Sequence, residues 1–137
     1  MTIKRDSLGL PVLPLDEICF PADDRVAVPG SLWWVAWDGK HPVAYAGLRL
    51  CSMPENRGIG FLCRAGVIPS HRGRGLQKRL IRIRERAARE IGLKELVTYC
   101  MASNSPSMNS LVGCGFRFYS PATKYGGSGA VYLRKEL

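Results

Sequence analysis

The chain lacks most of the signals that would name an activity at once. Its five cysteines stand apart at positions 19, 51, 63, 100 and 114 and form no CxxC pair. They sit mostly in apolar runs, which points to small buried hydrophobes in a reducing cytoplasm. The only histidines are His41 and His71, at no useful spacing, so no metal site is expected. No apolar run approaches the roughly 18 residues that a membrane span requires. The N-terminal MTIKRDSLGLPVLPL has Lys4 and Arg5 but no long apolar stretch before a cleavage site, so a secretory leader and a membrane anchor are not expected. Repeats and an interdomain linker are missing too. With 137 residues, the chain is long enough for one core, and 1–137 reads as a single domain.

Acidic residues are also scarce: 11 against 20 Lys and Arg, for a net charge of +9. Such a balance asks for an anionic partner, whether nucleic acid, a phosphorylated cofactor or an acidic protein. Much of the charge falls in one segment. Arg72, Arg74, Lys78, Arg79, Arg82, Arg84, Arg86 and Arg89 lie together, with Glu85 among them.

The pattern along the chain is that of an α/β domain with a mixed sheet. Residues 14–22 read as a short helix, with Asp16 as cap and Pro21 as stop. SLWWVAW (31–37) reads as an inner strand, Asp38-Gly39 as a hairpin turn and 42–50 as the return strand. Residues 52–57 read as loop and 58–67, GIGFLCRAGV, as a third strand. Gly66 there marks a bulge or a close backbone approach. Leu76, Leu80, Ile83, Ala87 and Ile91 form an apolar stripe at helical spacing over 75–91, with Gly92 as the C-cap. A strand over 94–101 follows, making strand–helix–strand a parallel crossover. A second helix covers 105–113, with Asn104 at its start and Pro106 in its first turn. Strands at 116–119 and 130–135 close the chain. Trp33, Trp34 and Trp37 read mostly as core, with one of them lining a ligand groove as the alternative.

The segment VIPSHRGRGLQKRL (67–80) carries the chemistry. A strand ends in Val67-Ile68-Pro69, and the chain turns through Arg72-Gly73-Arg74-Gly75 into a helix. A helix start leaves amide N–H groups unpaired and bears about half a positive charge. Glycines let a ligand approach the backbone, and Arg72, Arg74 and Lys78 add charge. Together they suit a phosphate or diphosphate. The Walker pattern GxxxxGK[ST] is absent, and GxGxxG fails at Lys78, so neither ATP nor NAD is indicated.

Arg72-Gly73-Arg74-Gly75-Leu76-Gln77 resembles the diphosphate loop, Q/R-x-x-G-x-G/A, of the GNAT superfamily of N-acetyltransferases, with Gln77 in place of the last Gly or Ala. Val67-Ile68-Pro69 fits the V-x-P that often precedes it. The run Asn104 to Phe116, NSPSMNSLVGCGF, resembles the family's second signature, an Asn-led helix ending in Gly-Phe. The resemblance implies a mostly antiparallel sheet with one splayed parallel pair. It implies acetyl-CoA as donor, with its diphosphate on the backbone of Gly73 to Lys78. The pantetheine arm would lie along Ala65, Gly66 and Val67 and against Asn104, a bulge near Gly66 would open the slot, and the 3′-phosphate would lie near Lys78, Arg79 and Arg74.

Acyl transfer needs a neutral amine, donors for an oxyanion and a way for the thiolate to leave. The family's Tyr donor position is Leu111 here, which cannot donate. Tyr99 stands where some members carry a Glu, and either relays a proton through water or is a strand aromatic. Ser110 and Tyr119 are the other donors in reach. Arg82, Arg84, Arg86 and Arg89 read as a solvated face, His71 as a solvent-facing loop residue, and Cys63 and Cys100 as packing. Asp16, Glu17, Asp23 and Asp24 either draw in a cationic amine or are loop and helix-end charges. The implied activity is acetyl transfer to an unidentified primary amine, on a small molecule or a protein, by direct attack in a ternary complex, in a monomer or homodimer. The alternatives are an acyl-CoA sensor with weak activity and, less favoured, a nucleic-acid module with salt-sensitive affinity.

Overall fold

The computed structural model describes residues 1–51 and 53–137. Its centre is a seven-stranded sheet in the order β1-β2-β3-β4-β5-β7-β6. The strands are β1 (Thr2–Asp6), β2 (Ser31–Asp38), β3 (His41–Leu50), β4 (Ile59–Val67), β5 (Glu95–Met101), β6 (Arg117–Tyr119) and β7 (Ala130–Glu136). Every neighbouring pair is antiparallel except β4 and β5. Helix α1 (Val12–Cys19) precedes β2, α2 (Leu76–Ile91) makes the β4–β5 crossover, and α3 (Ser105–Gly113) follows β5. The expected mixed sheet with one parallel pair and flanking helices is therefore present. In the expected 52–57 loop, Ser52 lies outside the described residues, and a short 3-10 turn covers Pro54–Asn56.

β1 escaped the sequence reading because TIKRD has a strand's alternation but almost no apolar content. It is an edge strand, with Arg5 over the Trp34 ring. Helix α1 begins and ends earlier than expected. Asp16 is no cap: it lies inside the helix and is fully buried. The Tyr45 hydroxyl, the Val26 amide (3.1 Å) and Arg64 (3.1 Å) all donate to its carboxylate, and Arg25 lies 3.3 Å away. This carboxylate thus ties α1, β3, β4 and the loop after α1 together. Burial, then the Asp16 contact, pushes the Tyr45 hydroxyl well above the usual tyrosine range. A buried charge with several donors is tolerable, and deleting one side of such a cluster is commonly costly by about 3–5 kcal/mol.

The core lies on the two faces of the sheet. One face carries Leu48, Leu62, Leu96 and Leu133 under Leu76, Leu80, Ile81 and Ala88 of α2. The other packs Val12 and Leu15 of α1 on Trp33, Val35 and Tyr45. Trp33 and Trp34 are core as expected, and Trp37 is half-buried. The buried stripe of α2 is turned from the expected one: Leu76, Leu80, Ile81, Arg84 and Ala88 face inward, and Ile91 is exposed. An arginine at the centre of the stripe disguised its phase. The helix stops at Gly92, left-handed at φ 96°, whose N–H bonds back to Ala88 and Arg89.

Glu85 joins α2 to β7. Its carboxylate meets Lys135 at 2.5 Å and Arg89 at 2.8 Å, and Lys135 also donates to the Cys114 carbonyl at 2.7 Å. Burial alone would raise its pKa; hydrogen bonds from Lys135 and Arg89 outweigh that and hold it below the usual range. A carboxyl depressed in the folded state stabilises above its unfolded pKa, about 4.3, and loses that contribution as pH falls through the folded value. Glu85→Gln should therefore cost about 1 kcal/mol at pH 7 in chemical denaturation, with the gap to the parent closing below about pH 4. An equal gap at pH 3 and pH 7 would remove the ion pair from the account.

Candidate active site

The site arises where β4 and β5 stop pairing. Their parallel register runs from Ile59↔Glu95 through Phe61↔Val97. Beyond it the strands diverge, and the edge of β4 from Leu62 to Val67 faces a gap. The register of β4 against β3 also slips by one residue between Ala46 and Leu48, placing a bulge at Cys63–Arg64 opposite Gly47. The expected bulge is therefore present, two to three residues before Gly66. Gly66 marks the other alternative, close approach: a Cβ there would meet the Tyr45 ring at 2.7 Å and Cys19 at 2.9 Å.

Strand alternation decides which groups face the gap. The Ile68 amide donates to Val43 O at 2.9 Å, so the backbone groups of Gly66 also face β3. Those of Ala65 and Val67 point the other way. The Val67 carbonyl accepts from Arg72 Nε at 2.8 Å. The N–H groups of Ala65 and Val67 thus line the opening as a short, unused strand edge.

Past β4, Pro69–His71 makes a 3-10 turn, and Gly73 and Gly75 take left-handed φ of 75° and 78°, which glycine adopts without steric cost. Gly75 is the N-cap of α2, and no side chain caps that helix among the described residues. The first-turn amides, Leu76 to Lys78, are therefore available to a ligand. Arg74 reaches the Ser70 carbonyl at 3.3 Å, and the Lys78 ammonium lies against Gly113 of α3. His71 is not a free loop residue. Its Nε2 is 2.8 Å from Asp38 Oδ2 and its Nδ1 2.7 Å from Ser70 Oγ, pinning the turn to the β2–β3 hairpin. The hydrogen bond from His71 draws the Asp38 carboxyl below its ordinary range.

Two cavities meet here. One, of about 680 Å³, lies over the glycine turn and is lined by Gly66, Val67, Arg72, Gly73, Gly75 to Lys78 and Ser110, among others. The second, of about 580 Å³, fills the gap between β4 and β5 and is lined by Leu62, Cys63, Arg84, Thr98, Tyr99 and Leu111, among others. Ala65, Gln77, Asn104 and Ser107 border both, so they form one channel. Asn104 caps α3, its carbonyl oxygen accepting from the Ser107 amide at 3.2 Å. Its amide nitrogen is left for the channel.

The structure thus brings together Ala65, Gly66, Val67, the run Arg72–Lys78 and Asn104, with Ser110 on the turn side. Tyr99 sits at the other mouth, half-exposed and stacked on Phe61 at 6.0 Å, with Tyr125 edge-on at 5.8 Å. Tyr119 hydrogen-bonds Tyr125 at 3.1 Å, and burial, then that bond, pushes the Tyr125 hydroxyl well above the usual range. Asp23 and Asp24 line the second cavity, while the three tryptophans line neither. Cys63 and Cys100 are buried on its walls, each thiol held above its usual pKa chiefly by burial. Among the described residues no cluster of three His, Cys, Asp or Glu could hold a metal, and no helix is long and apolar enough to cross a membrane.

Two features escaped the sequence reading. The aromatic mouth draws on Phe61, Tyr99 and Tyr132, brought together by the sheet, and on Tyr125 from the loop before β7. Arg84, assigned to a solvated face, is buried at 2% exposure and borders the second cavity. Its place in the i, i+4 series Leu76, Leu80, Arg84, Ala88 was the available signal.

A sheet opened at one parallel pair, above an uncapped and glycine-led helix start, defines an acyl-transferase type of domain. The comparisons agree. Residues 6–116 match the model of the acetyltransferase (GNAT) family, and the chain belongs to that family. No curated protein sequence matches it. Among solved structures it is similar to the IAA acetyltransferase of Bacillus cereus, at 20% identity, TM-score 0.81 and 99% coverage of both chains. It is also similar to a Bacillus subtilis acetyltransferase in complex with CoA, at 17% identity and TM-score 0.77, covering 98% of this chain and 97% of that one. A third is the ribosomal-protein-S18-alanine N-acetyltransferase of Escherichia coli, at 16% identity and TM-score 0.78, covering 98% and 92%.

Because Gly66 is walled by Tyr45 and Cys19, Gly66→Ala should overpack the base of the channel. A loss of about 1–3 kcal/mol is expected in chemical denaturation. A neutral substitution would show that this wall yields.

Proposed function

We propose that residues 1–137 form a single N-acetyltransferase domain that transfers the acetyl group of acetyl-CoA to a primary amine, by direct attack within a ternary complex. One observation carries this reading. The free amides of Ala65 and Val67 and the uncapped first turn of α2 open onto one continuous channel. In this reading the diphosphate rests on the amides of Gly73 to Lys78, with Arg72 and Arg74 beside it. The pantetheine arm follows Ala65 to Val67 in place of a sheet partner, with Asn104 on its far side. Arg74, Lys78 and Arg79 meet the 3′-phosphate. The CoA complex of the B. subtilis neighbour, and a Salmonella typhimurium neighbour solved with acetyl-CoA, support this donor.

The acceptor enters from the opposite mouth, by Tyr99, Asp23 and Asp24. An alkylamine has a pKa near 10, so it must shed a proton before its nitrogen attacks the thioester carbon. Tyr99 relays that proton through water, and the N–H groups of β4 receive the oxyanion. Ser110, on the turn side, is the other hydroxyl along the arm. The two acidic residues favour a cationic amine over an anionic one, on a small molecule or a protein terminus or lysine. Leu111 is buried at the gap and supplies no proton. This keeps a second reading in play, an acyl-CoA sensor that turns over slowly.

Acetyl-CoA should raise the melting temperature, and thiol release across an amine panel should separate enzyme from sensor. Gly75→Glu sets a carboxylate against the diphosphate, and the acetyl-CoA shift should vanish; an unchanged Kd would move the cofactor elsewhere. Tyr99→Phe should lower kcat about tenfold or more with KM for acetyl-CoA unchanged. Unaltered turnover would return Tyr99 to a packing role.

A further inference from the structure

Among the described residues, Arg84 is the one buried cation on the wall of the β4–β5 gap. Its Nε donates to Leu80 O at 3.0 Å, and its Nη1 donates to Gly47 O at 3.0 Å and Cys63 O at 3.3 Å. The last two carbonyls belong to the two strands at the register slip. Arg84 therefore supplies the hydrogen bonds that the bulge removes from the ladder. A neutral donor could do as much. A guanidinium costs more to bury, and here no carboxylate lies within ion-pair distance of it among the described residues. Burial pushes its pKa down to about 10, so it is still charged at neutral pH. A buried cation without a counter-ion, beside a cavity, would stabilise negative charge that enters that cavity.

The other groups around the gap do not take that part. Arg64 of β4 is already paired with Asp16, and Arg49 of β3 bonds Ser31. Asp23 and Asp24, on the loop after α1, would repel an anion. Tyr99 and Cys100 of β5, Cys63 of β4 and Cys114, just after α3, are side chains that never carry positive charge.

We propose that Arg84 is a positioning residue that lets the thiol of coenzyme A leave, and rest, as a thiolate in the β4–β5 gap. The inference rests on the acetyl-CoA reading above. The amine nitrogen bonds to the acyl carbon, the carbon–sulfur bond breaks, and its electron pair departs on sulfur. The amine's proton goes to water at the acceptor mouth. The sulfur needs no proton from the protein, because the fixed charge of Arg84 favours its anion; it is protonated after release. The apolar wall at Leu111, which offers no donor, then carries no catalytic penalty. The Arg84 bonds to Gly47 O and Cys63 O hold the charge and the free β4 edge in one fixed relation.

The test is the titration of bound CoA, followed by thiolate absorbance in the binary complex with the whole chain. The parent should hold that thiol at least one pH unit below its value in free CoA. Arg84→Met should lose the depression, and Arg84→Lys should keep part of it. In steady state Arg84→Met should lower kcat at least tenfold, with the loss greatest at high pH, where a departing sulfur without Arg84 finds fewest protons, and KM for acetyl-CoA little changed. A merely structural arginine predicts a lower melting temperature with the thiol titration unmoved. An unshifted thiol in the parent complex overturns the proposal even if Arg84→Met does not fold. Absence of CoA binding in the parent would instead defeat the acetyl-CoA reading itself, so the two failures are told apart.

Discussion

One slipped residue in the ladder between β3 and β4 conditions the rest of the molecule. Opposite Gly47 the bulge at Cys63–Arg64 changes the course of β4, and β4 keeps β5 only through Phe61. Without the slip a continuous parallel pair would bury the amides of Ala65 and Val67 against β5. A sheet seldom gives up ladder bonds unless something else satisfies them. Here Arg84 takes the carbonyls of Gly47 and Cys63, and the Thr98 hydroxyl donates to Leu62 O at 3.0 Å. The open edge is a supported structure, with its spare donors aimed one way.

The support continues on the opposite face. Gly47 has no room for a side chain, since a Cβ would lie 2.7 Å from the Trp33 ring. Arg64, the second bulge residue, reaches across to Asp16 and the Asp24 carbonyl. That contact fastens α1 and the loop carrying Asp23 and Asp24 to the same point of β4. Both mouths of the channel are thus built on the bulge. A change in its geometry reaches both at once, which single-site variants of either side would not do.

The sequence made much of this legible, and unevenly. Elements with strong local chemistry were read closely: SLWWVAW, the Asp38-Gly39 turn, the Gly92 stop and the Asn104 cap all fall where the structure has them. The glycine turn was legible because left-handed backbone demands glycine. Features defined by partners were not. TIKRD becomes a strand only through pairing with β2. Asp16 looked like a cap because acidic residues favour helix starts, and its real partners lie 10, 29 and 48 positions away. Gly66 signalled a close backbone approach, while the nearby bulge is made by Cys63 and Arg64, which carry no local sign of one. Arg84 was assigned to the surface on composition, although its spacing from Leu80 and Ala88 already set it on the inner stripe.

Helix α2 concentrates these tensions. Basic residues at its first turn oppose the helix dipole, and its outer arginines, Arg79, Arg82, Arg86 and Arg89, repel one another. Burial of Leu76, Leu80, Ile81 and Ala88 holds it in place regardless. The reward is a rigid rod with two positive stations. Its open first turn is one; Arg84, about 12 Å further along at 1.5 Å per residue, is the other, its side chain leaning back toward the first. A ligand with a permanent diphosphate at one end and a charge that appears only during reaction at the other would meet both on a single element. Loops would have let that spacing drift. Mounting both charges on one packed helix fixes it before the ligand arrives, which is the condition for the second charge to act on a transient state.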